Sequence, residues 1–195
     1  GDMGALSFFP TKHLGALGDA GALLVRDPER AAQVRRLRNH GDAGHYNHTT
    51  LGLNGRMSAI QAAMLRTKLA FLSQANDRRR AIAARYNAAF ASLPASLSSD
   101  LDLPGDDPPE GGLSVPQPYV VRTSQRDGLA RHLLRLGIET KVYYPRPLPV
   151  QPVFAGCVGD GHSWPHAFAA CDRVLALPMY SALDPRACAQ VITAV

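Results

Sequence analysis

Lysine is scarce in this chain. Only three of its 21 basic residues are lysines, so the formal net charge of +5 is carried almost entirely by arginine. Chemistry that requires a lysine amine therefore has three candidates, Lys12, Lys68 and Lys141. The arginines are spread over presumptive helices, and no aromatic residues alternate with them as a single-strand binding surface requires. This pattern indicates solvated helix faces and argues against a nucleic-acid partner.

Cysteines and long apolar runs are also few. The three cysteines, Cys157, Cys171 and Cys188, include no Cys-x-x-Cys pair, which argues against a disulfide scaffold and a thiolate zinc site. No segment approaches the roughly 18 consecutive apolar residues of a membrane span, and the first residues carry no basic-then-apolar signal. We expect a soluble, cytoplasmic protein without a membrane partner.

Two strands and a capped helix are predicted near the start. Apolar runs predict strands at 5–9 and 20–25, separated by a glycine-rich bend. Because an isolated strand pair is marginal in water, we expect residues outside this sequence to complete their sheet. Asp27-Pro28-Glu29 then predicts a helix to about Asn39, since it offers a side-chain cap, a first-turn proline and an acid near the positive helix end.

The rest of the chain suggests a long helix followed by a small α+β domain. A cap at Ser58 and apolar residues at helical spacing predict one helix over 57–93, on the order of 50 Å long at 1.5 Å per residue. A helix of that length commonly connects domains or follows a dimer seam. An irregular segment is then predicted at 94–118. Two strands are predicted at 119–123 and 139–144, and three helices at 124–137, 165–174 and 184–195.

The densest group of chemically useful side chains lies between residues 7 and 21. Lys12 follows Ser7 by five residues and stands between a predicted strand and a glycine-rich turn. A hydroxyl there can donate to a phosphate, and a neutral lysine amine can attack an aldehyde. An apolar pocket favours the neutral amine, and the neighbours that could form one are Phe8, Phe9, Leu14 and Leu17. A surface lysine in a glycine-rich loop stays the alternative, because such loops without the full phosphate-binding pattern are weak signals.

Residues 7–22 read Ser-Phe-Phe-Pro-Thr-Lys-x-Leu-Gly-Ala-Leu-Gly-Asp-x-Gly-Ala. This segment resembles the lysine-bearing segment of the DegT/DnrJ/EryC1/StrS family of sugar aminotransferases, which depend on pyridoxal 5'-phosphate (PLP). The resemblance continues through Gly52-Leu53-Asn54-Gly55-Arg56-Met57 and Tyr144-Pro145 to Leu177-Pro178, and it covers essentially the whole chain. It implies an α/β fold of the aspartate aminotransferase type. On that fold, 1–56 ends the large PLP-binding domain, 57–93 is the connecting helix and 94–195 is the small C-terminal α+β domain.

The resemblance also implies roles for individual residues. Lys12 matches the catalytic lysine that holds PLP as an imine and moves the substrate proton, and Ser7 matches a hydroxyl that binds the PLP phosphate. Asn54 matches an asparagine that reaches the phosphate in the other subunit's site, which implies a homodimer with the active site at the subunit interface. Arg56 lies where it could meet substrate. Tyr143 and Tyr144 lie on the sugar side, with Tyr143 replacing a common histidine of the family.

The implied reaction converts a nucleotide-linked keto sugar to an amino sugar with glutamate as amino donor. The motif Leu-Gly-Ala-Leu-Gly-Asp resembles family members that act on 3-keto nucleotide sugars more than it resembles members that act at the 4-position. A cyclitol or aminohydroxybenzoate precursor stays an alternative substrate. Another alternative is a catalytically incompetent fragment, because only six residues precede Ser7 and the family's N-terminal coenzyme contacts cannot be placed. No metal is expected, since the histidines at 40, 45 and 48 share no helical face and lack an acid.

Overall fold

The computed structural model describes residues 1–105, 111–157 and 163–195. The chain forms two compact units, Gly1–Gln74 and Ala75–Val195. All three cysteines are free thiols. In the described ranges, no helix combines the length and the apolar character that crossing a membrane requires.

The first unit begins with a two-stranded antiparallel sheet. Strand β1 (Met3–Ser7) pairs with β2 (Gly21–Val25), with Ser7 opposite Gly21. The predicted span 5–9 was therefore two residues late for the first strand: Pro10 has no N–H to continue a ladder, and the chain turns after Phe8. Apolar side chains on both strands are 44–59% exposed, namely Met3, Leu6, Leu23 and Leu24. That residues outside this sequence cover them stays a prediction.

Helix α1 (Pro28–Leu37) begins as the sequence predicts. The Asp27 carboxylate accepts hydrogen bonds from the N–H groups of Glu29, at 2.8 Å, and Arg30, at 3.4 Å. These bonds satisfy donors that the first helical turn leaves unpaired. The helix ends two residues before the expected Asn39.

The single helix predicted over 57–93 is wrong, because the structure has two. Helix α2 (Ala59–Leu69) is capped by Ser58, and α3 (Leu72–Ala91) follows after a two-residue turn. At the break, the N–H of Phe71 bonds to the carbonyl of Lys68, three residues back, at 3.1 Å. This tighter turn interrupts the four-residue hydrogen-bond ladder. The hydrophobic spacing did not reveal it, since no proline or glycine marks the position.

The second unit packs helices against a two-stranded antiparallel sheet. Strand β3 (Tyr119–Arg122) pairs with β4 (Val174–Leu177), with Tyr119 opposite Leu177. The helices of this unit after α3 are α4 (Ala95–Ser98), α5 (Arg126–Arg135), α6 (Pro165–Arg173) and α7 (Pro185–Ala194), with 3₁₀ turns at Leu148–Val150 and Pro152–Phe154.

The strand predicted at 139–144 is wrong. Its backbone makes only an isolated bridge, in which Lys141 and Ala176 exchange hydrogen bonds of 3.2 and 2.7 Å. Prolines at 145, 147 and 149 follow at once, and each lacks the N–H that a longer ladder needs. The partner of β3 is instead β4, which sequence analysis missed because its short apolar run follows helix α6 without a glycine or proline between them.

Two tyrosines lie at the centre of the second unit's core. Tyr86 on α3 and Tyr119 on β3 are fully buried, with ring centroids 4.9 Å apart. The Tyr86 hydroxyl donates to the carbonyl of Pro178 at 2.9 Å, and the Tyr119 hydroxyl donates to Asn87 Oδ1 at 2.6 Å. Burial raises the pKa of both phenols well above the usual value. Both rings therefore stay neutral and join α3 to the sheet.

Candidate active site

The lysine loop, residues 8–20, connects β1 to β2 and carries Lys12. Phe8 extends the strand pairing at its base: its N–H donates to the Ala20 carbonyl at 2.8 Å, and its carbonyl accepts from Ala16 at 2.8 Å. The N–H of Lys12 bonds to the carbonyl of Phe9 at 2.9 Å. The loop is therefore a hydrogen-bonded turn with a defined backbone path.

Gly15 closes the lysine loop on itself. A Cβ atom built at Gly15 would lie 2.3 Å from the carbonyl oxygen of Pro10. No real Cβ approaches a backbone oxygen so closely, so only glycine allows the two ends of the turn to meet. This close contact accounts for the glycine three residues after the lysine.

Ser7 and Lys12 are presented on the surface of this unit. The Ser7 hydroxyl accepts the N–H of Phe9 at 3.3 Å, and a hydroxyl that accepts one bond can still donate its own O–H to a further acceptor. Lys12 is exposed, and it takes part in none of the salt bridges found in the described ranges. Of the four apolar neighbours expected to form a pocket, Phe9 is 46% and Leu17 66% exposed, whereas Phe8 and Leu14 are partly buried.

Helix α2 contacts the lysine loop through two side chains that sequence analysis did not place in the site. Gln61 Oε1 accepts the N–H of Leu17 at 2.8 Å. Lys68 donates from Nζ to the carbonyl oxygen of Gly15. Both contacts fall within five residues of Lys12, so one helix holds the loop that carries this lysine.

Arg56 is fixed by two asparagines. Its Nη1 donates to Asn39 Oδ1 at 3.0 Å, and its Nε donates to Asn54 Oδ1 at 3.2 Å. The backbone supports this arrangement, since Asn39 and Asn54 form an antiparallel bridge. The sequence predicts Asn54 and Arg56 as site residues but gives no role to Asn39, which it marks only as the expected end of the first helix.

The Arg56 cluster has the character of an anion site. No carboxylate of the described residues pairs with Arg56, so its positive charge is not neutralised there. Guanidinium groups carry five N–H donors in a fixed plane, and two bonds to neutral amides leave the others available. A planar carboxylate or a phosphate is the ligand that such a group binds best.

The loop between Asn39 and Asn54 is held by its own backbone. The N–H of Thr49 bonds to the carbonyl of Gly41 at 3.1 Å, and a Cβ at Gly41 would lie 1.7 Å from the Thr50 oxygen. His48 Nδ1 is 3.0 Å from the His40 carbonyl. No cluster of three or more metal-binding side chains occurs in the part of the chain that the structure describes.

Tyr143 and Tyr144 lie in the second unit. Their rings meet edge to face, with centroids 5.4 Å apart, and they are 45% and 67% exposed. Two phenol groups are therefore available to donate hydrogen bonds from one short segment. In the first unit, Arg56 bonds directly to Asn54, and Ser7 at the end of β1 leads into the loop that carries Lys12.

The sequence of this chain matches a known protein family over its whole length. The model of the DegT/DnrJ/EryC1/StrS aminotransferase family matches residues 1–195. A dTDP-3-amino-3,4,6-trideoxy-alpha-D-glucose transaminase of Streptomyces venezuelae is 40% identical over 191 residues, which are 98% of this chain and 48% of that protein. The chain thus spans about half the length of this relative.

Solved structures agree with the sequence comparison. S. venezuelae DesV, in complex with a ketimine intermediate, matches with a TM-score of 0.89 and 39% identity over 100% of this chain and 51% of that one. NtdA from Bacillus subtilis, with bound cofactor PMP, matches with a TM-score of 0.83 and 26% identity over 99% of this chain and 45% of that one. The expected aminotransferase fold is confirmed. Because family, sequence and fold agree along its whole length, the chain belongs to the DegT/DnrJ/EryC1/StrS aminotransferase family.

Proposed function

We propose that this chain is the C-terminal part of a PLP-dependent aminotransferase that converts a nucleotide-linked 3-keto sugar to an amino sugar with glutamate as amino donor. The observation that carries the proposal is the lysine loop. It directly follows the Ser7 hydroxyl at the end of β1 and presents an exposed amine at Lys12, which forms no ion pair within the described residues, in a chain that belongs to a sugar aminotransferase family.

The side chains of the first unit fit PLP as a ligand. PLP carries an aldehyde and a phosphate. A lysine amine can form an imine with the aldehyde, and hydroxyl, amide and guanidinium groups can donate hydrogen bonds to the phosphate. When bound, PLP supplies the electron-accepting ring on which the amino group is transferred. Lys12 would hold it and carry the proton at Nζ, Ser7 would bind its phosphate, and Asn54 would reach the phosphate in the site of the partner subunit.

Substrate binding is assigned to Arg56, Tyr143 and Tyr144. Arg56 combines an unneutralised charge with a fixed plane, which suits an anionic group of the amino donor or of the nucleotide sugar. The two tyrosines offer phenol hydroxyls to sugar oxygens. Replacement of the family's common histidine by Tyr143 keeps a hydrogen-bond donor at that position.

We further propose a homodimer in which Asn54 serves the partner's phosphate site. In this proposal the large PLP-binding domain ends with residues 1–56, and the small C-terminal domain consists of residues 94–195. Residues 57–93 connect these two domains. The exposed apolar strands of the first unit are consistent with further chain or subunit cover. A cytoplasmic location stays a prediction.

The substrate proposal rests on the relatives. The S. venezuelae relative is named for an amino group at the 3-position of a dTDP-linked sugar. Purified intact gene product should be presented with dTDP- and UDP-linked 3-keto and 4-keto sugars, and with an inosose and an aminohydroxybenzoate precursor. Glutamate-dependent amination that is fastest on a 3-keto nucleotide sugar supports the proposal. A preference for the 4-keto, cyclitol or aromatic compound would overturn it.

The catalytic assignment is tested by trapping. The intact gene product is incubated with PLP, reduced with borohydride and mapped by peptide mass spectrometry. We expect the modified lysine to be Lys12, with the label lost in Lys12→Ala and kept in Lys141→Ala. Modification of another lysine, or none, would contradict the assignment, and absence of PLP binding by the intact protein would favour the incompetent-fragment alternative.

A further inference from the structure

Helix α2 presents two polar side chains to the lysine loop from one face. Gln61 and Lys68 are seven residues apart, which is about two helical turns, so they project from the same side of the helix. Gln61 accepts the N–H of Leu17 at 2.8 Å, and Lys68 donates to the Gly15 carbonyl. One loop segment is therefore held at two points.

The contacts fit closely around Gln61. A Cβ atom at Gly18 would lie 3.0 Å from Gln61 Nε2, so the loop backbone passes directly against the amide. Lys68 donates to the carbonyl of Gly15, the residue that lies against the Pro10 carbonyl where the turn closes. The two bonds consequently act on the part of the loop that closes behind Lys12.

Apolar burial holds this loop only in part. Ala16 is fully buried, at 4% exposure, Phe8 and Leu14 are partly buried, and Phe9 and Leu17 are 46% and 66% exposed. Methyl burial at one alanine contributes little stabilisation compared with a leucine or phenylalanine. Within the first unit, polar contacts therefore add to apolar burial in setting the position of the loop relative to α2, and one of these contacts is made by a charged donor, which strengthens the bond.

We propose that Gln61 and Lys68 are positioning residues for Lys12. By fixing residues 15 and 17, they set where the Lys12 backbone stands and limit the orientations of its amine. Neither residue touches the reacting atoms in this proposal. It rests on the proposed function, since it concerns how the amine of Lys12 is presented to PLP and to the substrate proton.

Positioning at this level has a recognisable kinetic cost. Catalytic groups must be held within about 0.5 Å of productive geometry, and a misplacement of about 1 Å can cost on the order of 100-fold in rate. Lys12 is three residues from Gly15 and five from Leu17. Loss of the Lys68–Gly15 bond or the Gln61–Leu17 bond should therefore shift the Lys12 amine. Proton transfer by Lys12 is the step that should suffer most.

The test uses the intact gene product with four variants and a control. Lys68→Met and Gln61→Leu remove the donor and the acceptor, whereas Lys68→Arg and Gln61→Glu keep them. Arg66→Met is the matched control, since Arg66 is exposed on the same helix and forms no ion pair within the described ranges. Peptide-level hydrogen exchange is measured without PLP, and single-turnover rates are measured with glutamate and with α-deuterated glutamate.

In Lys68→Met and Gln61→Leu, we expect exchange across residues 8–20 to be faster by about tenfold or more. The single-turnover rate should fall by roughly 10- to 100-fold, and the deuterium isotope effect should rise, because proton transfer becomes slower relative to binding. Lys68→Arg and Gln61→Glu should recover most of the rate, and Arg66→Met should match the natural sequence. A general loss of folding would lower the active fraction without changing the isotope effect.

Two results would overturn the positioning role. One is unchanged loop exchange in both removal variants. The other is faster exchange with an isotope effect and single-turnover rate equal to those of the natural sequence, which would make the contacts structural only. Failure of the proposed function is seen separately, because the unsubstituted protein would then show no borohydride label on Lys12, whereas the exchange comparison needs no PLP.

Discussion

Arg56 donates a hydrogen bond from Nη1 to Oδ1 of Asn39, a residue 17 positions earlier in the chain, at 3.0 Å. The bond crosses the base of the loop that separates the two residues. Because Asn54 binds the same guanidinium at Nε, the plane of the group is set by two neutral amides rather than by a carboxylate. Its orientation is thereby fixed without neutralising the charge that an anionic ligand would meet.

Replacing Asn39 should weaken the binding of an anionic substrate. Asn39→Ala removes one of the two bonds that orient Arg56, and hydrogen bonds to charged groups contribute about 1.5–3 kcal/mol. We expect KM for the amino donor or the nucleotide sugar to rise by about tenfold with a smaller change in kcat. Steady-state kinetics of the intact protein measure this. Asn47→Ala, in the same loop, is the control, and equal effects in both variants would contradict the role of Asn39.

Gly15 should tolerate no side chain. In Gly15→Ala the new Cβ would meet the Pro10 oxygen at 2.3 Å, so the turn must open and Lys12 must move. We expect the PLP label trapped on Lys12 by borohydride to fall by at least tenfold. Gly128→Ala is the control, since its Cβ meets nothing nearer than 3.9 Å and alanine within α5 adds roughly 0.5–1 kcal/mol of stability. Normal labelling of Gly15→Ala would contradict the closed loop.

The elements that the sequence predicted well are those with local signals. The start of α1 follows from Asp27-Pro28-Glu29, because a cap acts within three residues. The end of α5 is marked by Gly137, whose φ of +76° suits glycine and whose N–H bonds to the Leu134 carbonyl at 3.0 Å. Lys12 and Ser7 also stood out, because only five residues separate the end of β1 from the lysine on the loop that follows it.

The features that the sequence did not reveal depend on distant partners. Strand β4 became visible only through its pairing with β3, which lies more than fifty residues earlier. The contacts of Gln61 with Leu17 and of Asn39 with Arg56 likewise join segments that no periodicity relates. Ser58 caps α2 as predicted by accepting the N–H of Gln61, whereas the side-chain oxygen of Gln61 binds the distant N–H of Leu17. Tertiary contacts thus decide what local pattern leaves open.

Removing the hydroxyl of a buried tyrosine in the second unit should lower stability more than removing the hydroxyl of an exposed tyrosine. In Tyr119→Phe the bond to Asn87 Oδ1 is lost and that oxygen is left partly buried without its donor. We expect the free energy of unfolding to fall by about 1–2 kcal/mol. Chemical denaturation of the intact protein measures it. Tyr180→Phe is the control because Tyr180 is half exposed, and an equal loss in both variants would contradict the assigned bond.

Asp100 should make stability depend on pH in the acid range. Its carboxylate accepts hydrogen bonds from the Ser124 hydroxyl at 2.6 Å and the Thr123 hydroxyl at 2.7 Å, and Arg173 Nη2 lies 3.1 Å away. These hydrogen bonds, led by that of Ser124, together with the nearby guanidinium, hold the pKa of Asp100 below its usual value. The charged form is therefore favoured by folding.

The sign of the effect follows from that direction. A carboxyl group whose pKa is lower in the folded state contributes stability above its unfolded pKa, near 3.9, and loses it as the pH falls through the folded value. Asp100→Asn should melt at a lower temperature than the natural sequence at pH 7, and this gap should shrink between about pH 4 and pH 2. Thermal melts of the intact protein over that range, with Asp172→Asn as the exposed control, measure the gap. A gap that stays constant down to pH 2 would show that Asp100 acts through its shape and its accepted bonds alone, and not through its charge.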